Sequence, residues 1–157
     1  MLNSQHTTRG VTLVEILLVI AITILLASVV LSSFGQYRLR QSLAGSIESV
    51  LAAISAAHLN TISSKNDSPY GVNLKPDEAI YFAGDSYPGD TDPANIHYVL
   101  PATIEIANVS LNGGDTKIYF KKLMGATDNY GTFDIRAKTS TGVGTTVTIY
   151  QTGATSI

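Results

Sequence analysis

One carboxylate stands inside a block of sequence that is otherwise oily. Glu15 is the single ionisable side chain in VTLVEILLVIAITILLASVVL, Val11 to Leu31. An acid in such a setting must pair with a cation or give up its charge, because an unpaired carboxylate in an apolar medium is strongly penalised. The chemistry it suggests is therefore ion pairing, not catalysis. Elsewhere the chemistry-bearing residues are sparse. The three histidines, His6, His58 and His97, have no second histidine at ligand spacing, so packing or surface roles are expected of them. Cysteine is absent, which excludes thiol catalysis, thiolate metal sites and redox switching. No Gly-x-Ser-x-Gly elbow occurs, and Gly113-Gly114 and Gly142 with Gly144 read as turn glycines because no Gly-Lys-Ser/Thr follows them. Asp85, Asp90 and Asp92 share a loop with Gly84 and Gly89. Such clusters can hold calcium, but the spacing is not that of an EF-hand, and aspartate in Gly/Pro turns is ordinary turn chemistry. No cofactor, metal site or catalytic constellation is read from the chain, and the expectation is a protein that is not an enzyme.

The elements that must position Glu15 follow from composition. The chain has 157 residues, 45% hydrophobic and 14% charged, with a formal net charge of −2. That length suits one globular domain of roughly 100 residues or more plus one further element. The apolar residues concentrate between Val11 and Leu31, and beyond them the sequence is rich in Gly, Thr, Ser and Asp. As a helix, about 21 residues at roughly 1.5 Å each span about 30 Å, the hydrocarbon thickness of a bilayer. Arg9 lies just before the run and no basic residue follows until Arg38, so the positive-inside rule keeps the N-terminus in the cytoplasm and exports the rest. A cleaved signal peptide has a shorter apolar region of about 7 to 15 residues, and a plain anchor has no use for Glu15.

Gly10-Val11-Thr12-Leu13-Val14-Glu15, followed by the unbroken apolar run, resembles the leader of type IV pilins and type II secretion pseudopilins. The resemblance implies that a membrane prepilin peptidase cuts between Gly10 and Val11 and methylates the new amine, and that the apolar helix waits in the membrane for assembly. Cleavage there leaves an amine four residues from Glu15. In a helical bundle the amine of a neighbouring subunit can meet the carboxylate, which makes the pair a register device. Two departures from the family pattern stand out: Val11 replaces the usual phenylalanine, and Ser32 stands where many members place a helix-breaking proline. Serine keeps its N–H, so a straighter helix is expected at that point.

Beyond Leu31 the helical pattern persists. Leu43, Ile47, Val50, Leu51, Ile54 and Ala57 recur at three- and four-residue spacing, with Arg38, Arg40, Gln41, Ser46 and Glu48 on the remainder. One helix from Val11 to about Ile62 is predicted, with Gly35 and Gly45 as points of lower propensity. The cluster from Ser63 to Pro69 should end it. Six or seven short strands follow: YGVNL and AIYFAG around a Lys75–Glu78 turn, then IHYVL, TIEIANVSL, KIYFKKL, TFDIRAK and TVTIYQT. The fold class is α+β: a long N-terminal helix, half membrane-spanning and half amphipathic, packed on an antiparallel β-sheet domain, as in pilins. The division expected is a leader over 1–10, a hydrophobic helix over 11–32, and an amphipathic helix with a β domain over 33–157.

The β-region order, with Tyr70-Gly71-Val72, Ile80-Tyr81-Phe82 and Ile118-Tyr119-Phe120 ahead of Gly125, also resembles the H-type minor pseudopilins. The resemblance implies a structural subunit, a minor one, of a pilus or pseudopilus-like filament. Its partners would be other pilin or pseudopilin subunits, the peptidase, the membrane assembly machinery, and lipid before assembly. It would sit in the cytoplasmic membrane as a single-pass precursor and outside the cytoplasm after assembly. The alternative is a membrane-anchored binding module, for example an adhesin or a DNA-uptake minor pilin. The stretch from Thr139 to Ile157 has no Lys or Arg, which argues against nucleic-acid contact there.

Overall fold

In the computed structural model, which describes residues 11–139 and 142–157, the chain is α+β. One long helix, α1 (Leu13–Ile62), precedes eight strands: β1 (Tyr70–Leu74), β2 (Glu78–Ala83), β3 (Ile96–Val99), β4 (Ile104–Leu111), β5 (Lys117–Tyr119), β6 (Gly131–Ala137), β7 (Gly144–Ile149) and β8 (Thr155–Ser156). The described residues divide into two compact units, the helix up to Arg38 and a globular unit from Leu39 to Ile157.

The described part of the N-terminal unit is helix from Leu13 on. Its apolar side chains are open on every side: Leu13, Val14, Leu17, Leu18, Leu25 and Leu26 are all more than half exposed. α1 runs without interruption through Ser32, Gly35 and Gly45.

The globular unit is built on the second half of α1. Leu43, Val50, Ala53, Ile54 and Ala57 are buried and Ile47 and Leu51 partly so, which is the face the spacing predicts. Ser46 departs from the expected polar face. It is buried, and its hydroxyl donates to the Ser42 carbonyl one turn back (2.8 Å), so a small polar side chain passes for an apolar one. The helix stops where Ser64 takes a left-handed conformation (φ 50°), and Thr61 ties its end to the first strand. The buried Thr61 hydroxyl donates to the Ala57 carbonyl (2.7 Å) and accepts from the Tyr70 N–H (2.9 Å).

The strands form two antiparallel four-stranded sheets where the sequence suggested one, in the orders β3-β2-β1-β5 and β4-β6-β7-β8. β1 and β2 pair in the predicted hairpin, with the Lys75 N–H donating to the Glu78 carbonyl across the turn (2.9 Å). β1 is buried along its whole length. On that sheet Phe82 meets Tyr87 and Tyr119 edge-on at 5.1 and 5.6 Å between centroids. The second sheet alternates cleanly. Phe133, Ile135, Val147 and Ile149 point into the core, while Asp134, Arg136, Thr146 and Thr148 occupy the other face. The Ile106 N–H donates to the Pro76 carbonyl (3.0 Å), joining the start of β4 to the β1–β2 turn. Helix face and both sheets share one hydrophobic core.

A bulge between Ala107 and Ser110 places Asn108 in a left-handed conformation (φ 51°), from which its amide donates to Asp134 (2.6 Å). Thr146 donates to the other oxygen of Asp134 (2.7 Å). These two bonds hold the Asp134 carboxyl below the usual carboxylate range, Thr146 being the larger cause. A depressed folded value contributes stability above the unfolded value near 4, and that stability is lost as pH falls through the folded value. Denaturant titrations should therefore show Asp134→Asn less stable than the parent above about pH 4, the gap closing further into acid. In the core, Ile54→Ala should cost about 2 to 5 kcal/mol in the same measurement, against about 0.5 or less for the exposed Leu59→Ala.

Candidate functional site

The helix start is set by Thr12. Its hydroxyl accepts from the Glu15 N–H (3.2 Å), a bond shared with the Thr12 carbonyl (3.1 Å), and the Ile16 N–H also reaches that carbonyl (3.2 Å). Thr12 is thus the N-cap and Glu15 the third helical residue, the Thr-x-x-Glu spacing of a capping box. The carboxylate lies in the first turn, where the unsatisfied N–H groups of a helix favour negative charge. The predicted helix began at Val11. The observed one begins two residues later because the cap leaves Val11 and Thr12 outside it.

Of the sequence-predicted site residues, Val11 and Glu15 come together. Both line a shallow groove of about 210 Å³ whose remaining wall is Ile16, Val19 and Ile20. Val11 is 69% exposed. Gly10 lies outside the described residues. The groove therefore offers one acid in an apolar lining, open along its length. Thr12 is the residue of this turn that reading for charge passes over; its spacing from Glu15 was the available signal.

The other candidates are occupied within the globular unit. Asp90 accepts from Lys75 (2.6 Å) and Tyr87 (2.5 Å), and Asp92 accepts from the Ala94 N–H (2.8 Å), so two of the three loop aspartates serve the loop itself. Lys75, chiefly, holds the Asp90 carboxyl below its ordinary value, and Asp90 in turn raises the Lys75 ammonium. His97 meets Glu78 at 2.7 Å. Among the described residues no group of three His, Cys, Asp or Glu side chains is placed to hold a metal.

His58 sits in a cradle of glycines. A β-carbon on Gly125 would lie 2.5 Å from its Nε2, and one on Gly153 would lie 2.7 Å from its ring. Both glycines have positive φ, 68° and 83°, so each turn also requires the residue that tolerates that backbone. The ring stands 5.3 Å from that of Phe120, and its buried Nε2 has no hydrogen-bond partner. The site is a packing joint between α1, the 121–126 loop and the 150–153 turn.

Fold and site together define an α+β protein whose N-terminal helix is, among the described residues, long and apolar enough to cross a membrane. Compared with family models, curated proteins and solved structures, the chain finds no match. Removing the Thr12 hydroxyl tests the cap: Thr12→Val should cost about 1 kcal/mol of local helix stability. Amide exchange at Glu15 and Ile16 in micelles should quicken accordingly, while exchange around Ile54 stays unchanged.

Proposed function

We propose that the chain is a structural filament subunit of the type IV pilin and pseudopilin kind. It is made as a membrane-anchored precursor, cleaved after Gly10, and assembled through α1. The observation that carries this reading is a helix apolar on every side with a single acid in its first turn, joined to a β domain that has a core of its own. Such a helix needs apolar company around its whole circumference. Lipid supplies it before assembly, and sister helices supply it afterwards.

In that bundle Glu15 finds the amine that cleavage exposes on Val11 of a neighbouring subunit. The shared groove of Val11 and Glu15 supports this pairing, since acid and future amine already flank one apolar surface. A subunit entering out of step leaves a buried charge unpaired, at a cost of about 3 to 5 kcal/mol for one broken buried pair. The partners on this reading are further prepilins, the processing peptidase and an energy-driven assembly platform in the cytoplasmic membrane. The β domain faces the outside.

Glu15→Ala should leave the precursor in the membrane and processed, while incorporation into sheared filaments drops. Mass spectrometry of the mature chain should find a methylated Val11 at its N-terminus. Normal incorporation of the alanine variant removes the role of Glu15, and a mature chain that begins well beyond Glu15 removes the filament reading altogether.

A further inference from the structure

We infer that Phe34, Tyr37 and Arg38 form a docking surface for anionic phospholipid headgroups at the outer membrane–water boundary, and thereby set the depth of α1 in the bilayer. This rests on the membrane-spanning part of the reading above and is independent of filament assembly.

Three observations converge on this cluster. The first is position. Leu13 to Ser33 is 21 residues of helix, about 31 Å at the α-helical rise, against about 30 Å of hydrocarbon. Phe34 is then the first residue past the apolar layer, and Tyr37 and Arg38 fall within the next turn. The second is composition and face. Spacings of three and four residues put the three side chains on one side of the helix. Phe34 is 57% and Tyr37 63% exposed, although both rings are large enough to seek cover. Aromatic side chains settle at the headgroup level, where the ring is shielded and a polar edge stays wet.

The third is charge. Lys75, Lys117, Lys121, Lys122 and Arg136 each pair with a carboxylate in the globular unit. Arg40, Lys65 and Lys138 have no such ion pair among the described residues, and neither does Arg38. Instead its guanidinium carbon stands 5.9 Å from the centroid of the Phe34 ring. A cation resting on an aromatic face keeps its donors free. Guanidinium can grip a phosphate through two parallel N–H bonds, which an ammonium cannot. A soluble anion would answer the charge and leave both rings bare. A phospholipid surface answers the charge and the rings together.

The chain has no tryptophan, so Phe34→Trp keeps an aromatic ring and installs a unique fluorescent reporter in the full-length protein. A second variant, Ile22→Trp, reports from near the centre of the span. Both are reconstituted into phosphatidylcholine vesicles with and without phosphatidylglycerol. The expected result is that Phe34→Trp is quenched most by lipids brominated close to the headgroup. Its access to aqueous acrylamide should fall when phosphatidylglycerol is added. Arg38→Gln in the same background should abolish that lipid-dependent difference, and Arg38→Lys should retain only part of it. Ile22→Trp should be quenched by deeply brominated lipids throughout. If Phe34→Trp is equally open to acrylamide in both lipids, or if Arg38→Gln leaves the difference intact, the docking surface is refuted while the span stands. If Ile22→Trp also escapes deep quenching, the span itself is refuted and the inference goes with it.

Discussion

A helix that is apolar around its full circumference has no way to cover itself, and everything else in this chain is arranged around that fact. Burying a single large aliphatic side chain gains about 1.5 to 3 kcal/mol, and the stretch from Leu13 to Val29 leaves a dozen of them open. Among the described residues, the N-terminal unit supplies no second layer for them. Their cover has to come from another phase or another molecule. Glu15 acquires meaning only against this background, because an acid on a water-washed helix would be unremarkable and one on an oily helix demands a partner.

The same helix obeys a different rule once it enters the globular unit. From Leu43 onward only one stripe is apolar, and that stripe is covered by residues of both sheets. The unit needs no disulfide to hold this arrangement, since the core gathers side chains from α1, from β1, β2 and β5, and from β4, β6 and β7. Polar side chains are used at the seams. Thr61 fastens the helix end to β1, Asn108 and Thr146 converge on Asp134 beside a bulge, and Lys75 clasps the Asp90 loop. The loop that looked most like a ligand site is thereby turned inward on its own neighbours.

How much of this was legible depended on whether the signal was local. The limits of β1 could be read to the residue because Tyr70–Leu74 lies between a breaker cluster and a Lys-Pro-Asp-Glu turn. The buried helix face was legible from spacing, and so was the alternation around Phe133 and Val147. The split into two sheets was not, because strand order depends on pairings between distant segments such as β1 with β5, and no short-range pattern encodes them. β8 is two residues long and too short to show a period. Ser46 was misplaced because residue type was taken for exposure. Within the site, the acid announced itself by its surroundings, whereas the cap at Thr12 is a hydroxyl among apolar neighbours and shows only through its three-residue distance to Glu15.

The imidazole of His58 has a wider effect than its small volume suggests. On α1 it meets the ring of Phe120, roughly sixty residues on, and the backbone at Gly125 and Gly153, the latter roughly ninety residues on, where an added β-carbon would collide with it. The tail of the protein is consequently knitted to its middle. A load carried along the second half of α1 therefore reaches the last turn of the chain directly through His58, without passing strand by strand through the sheets.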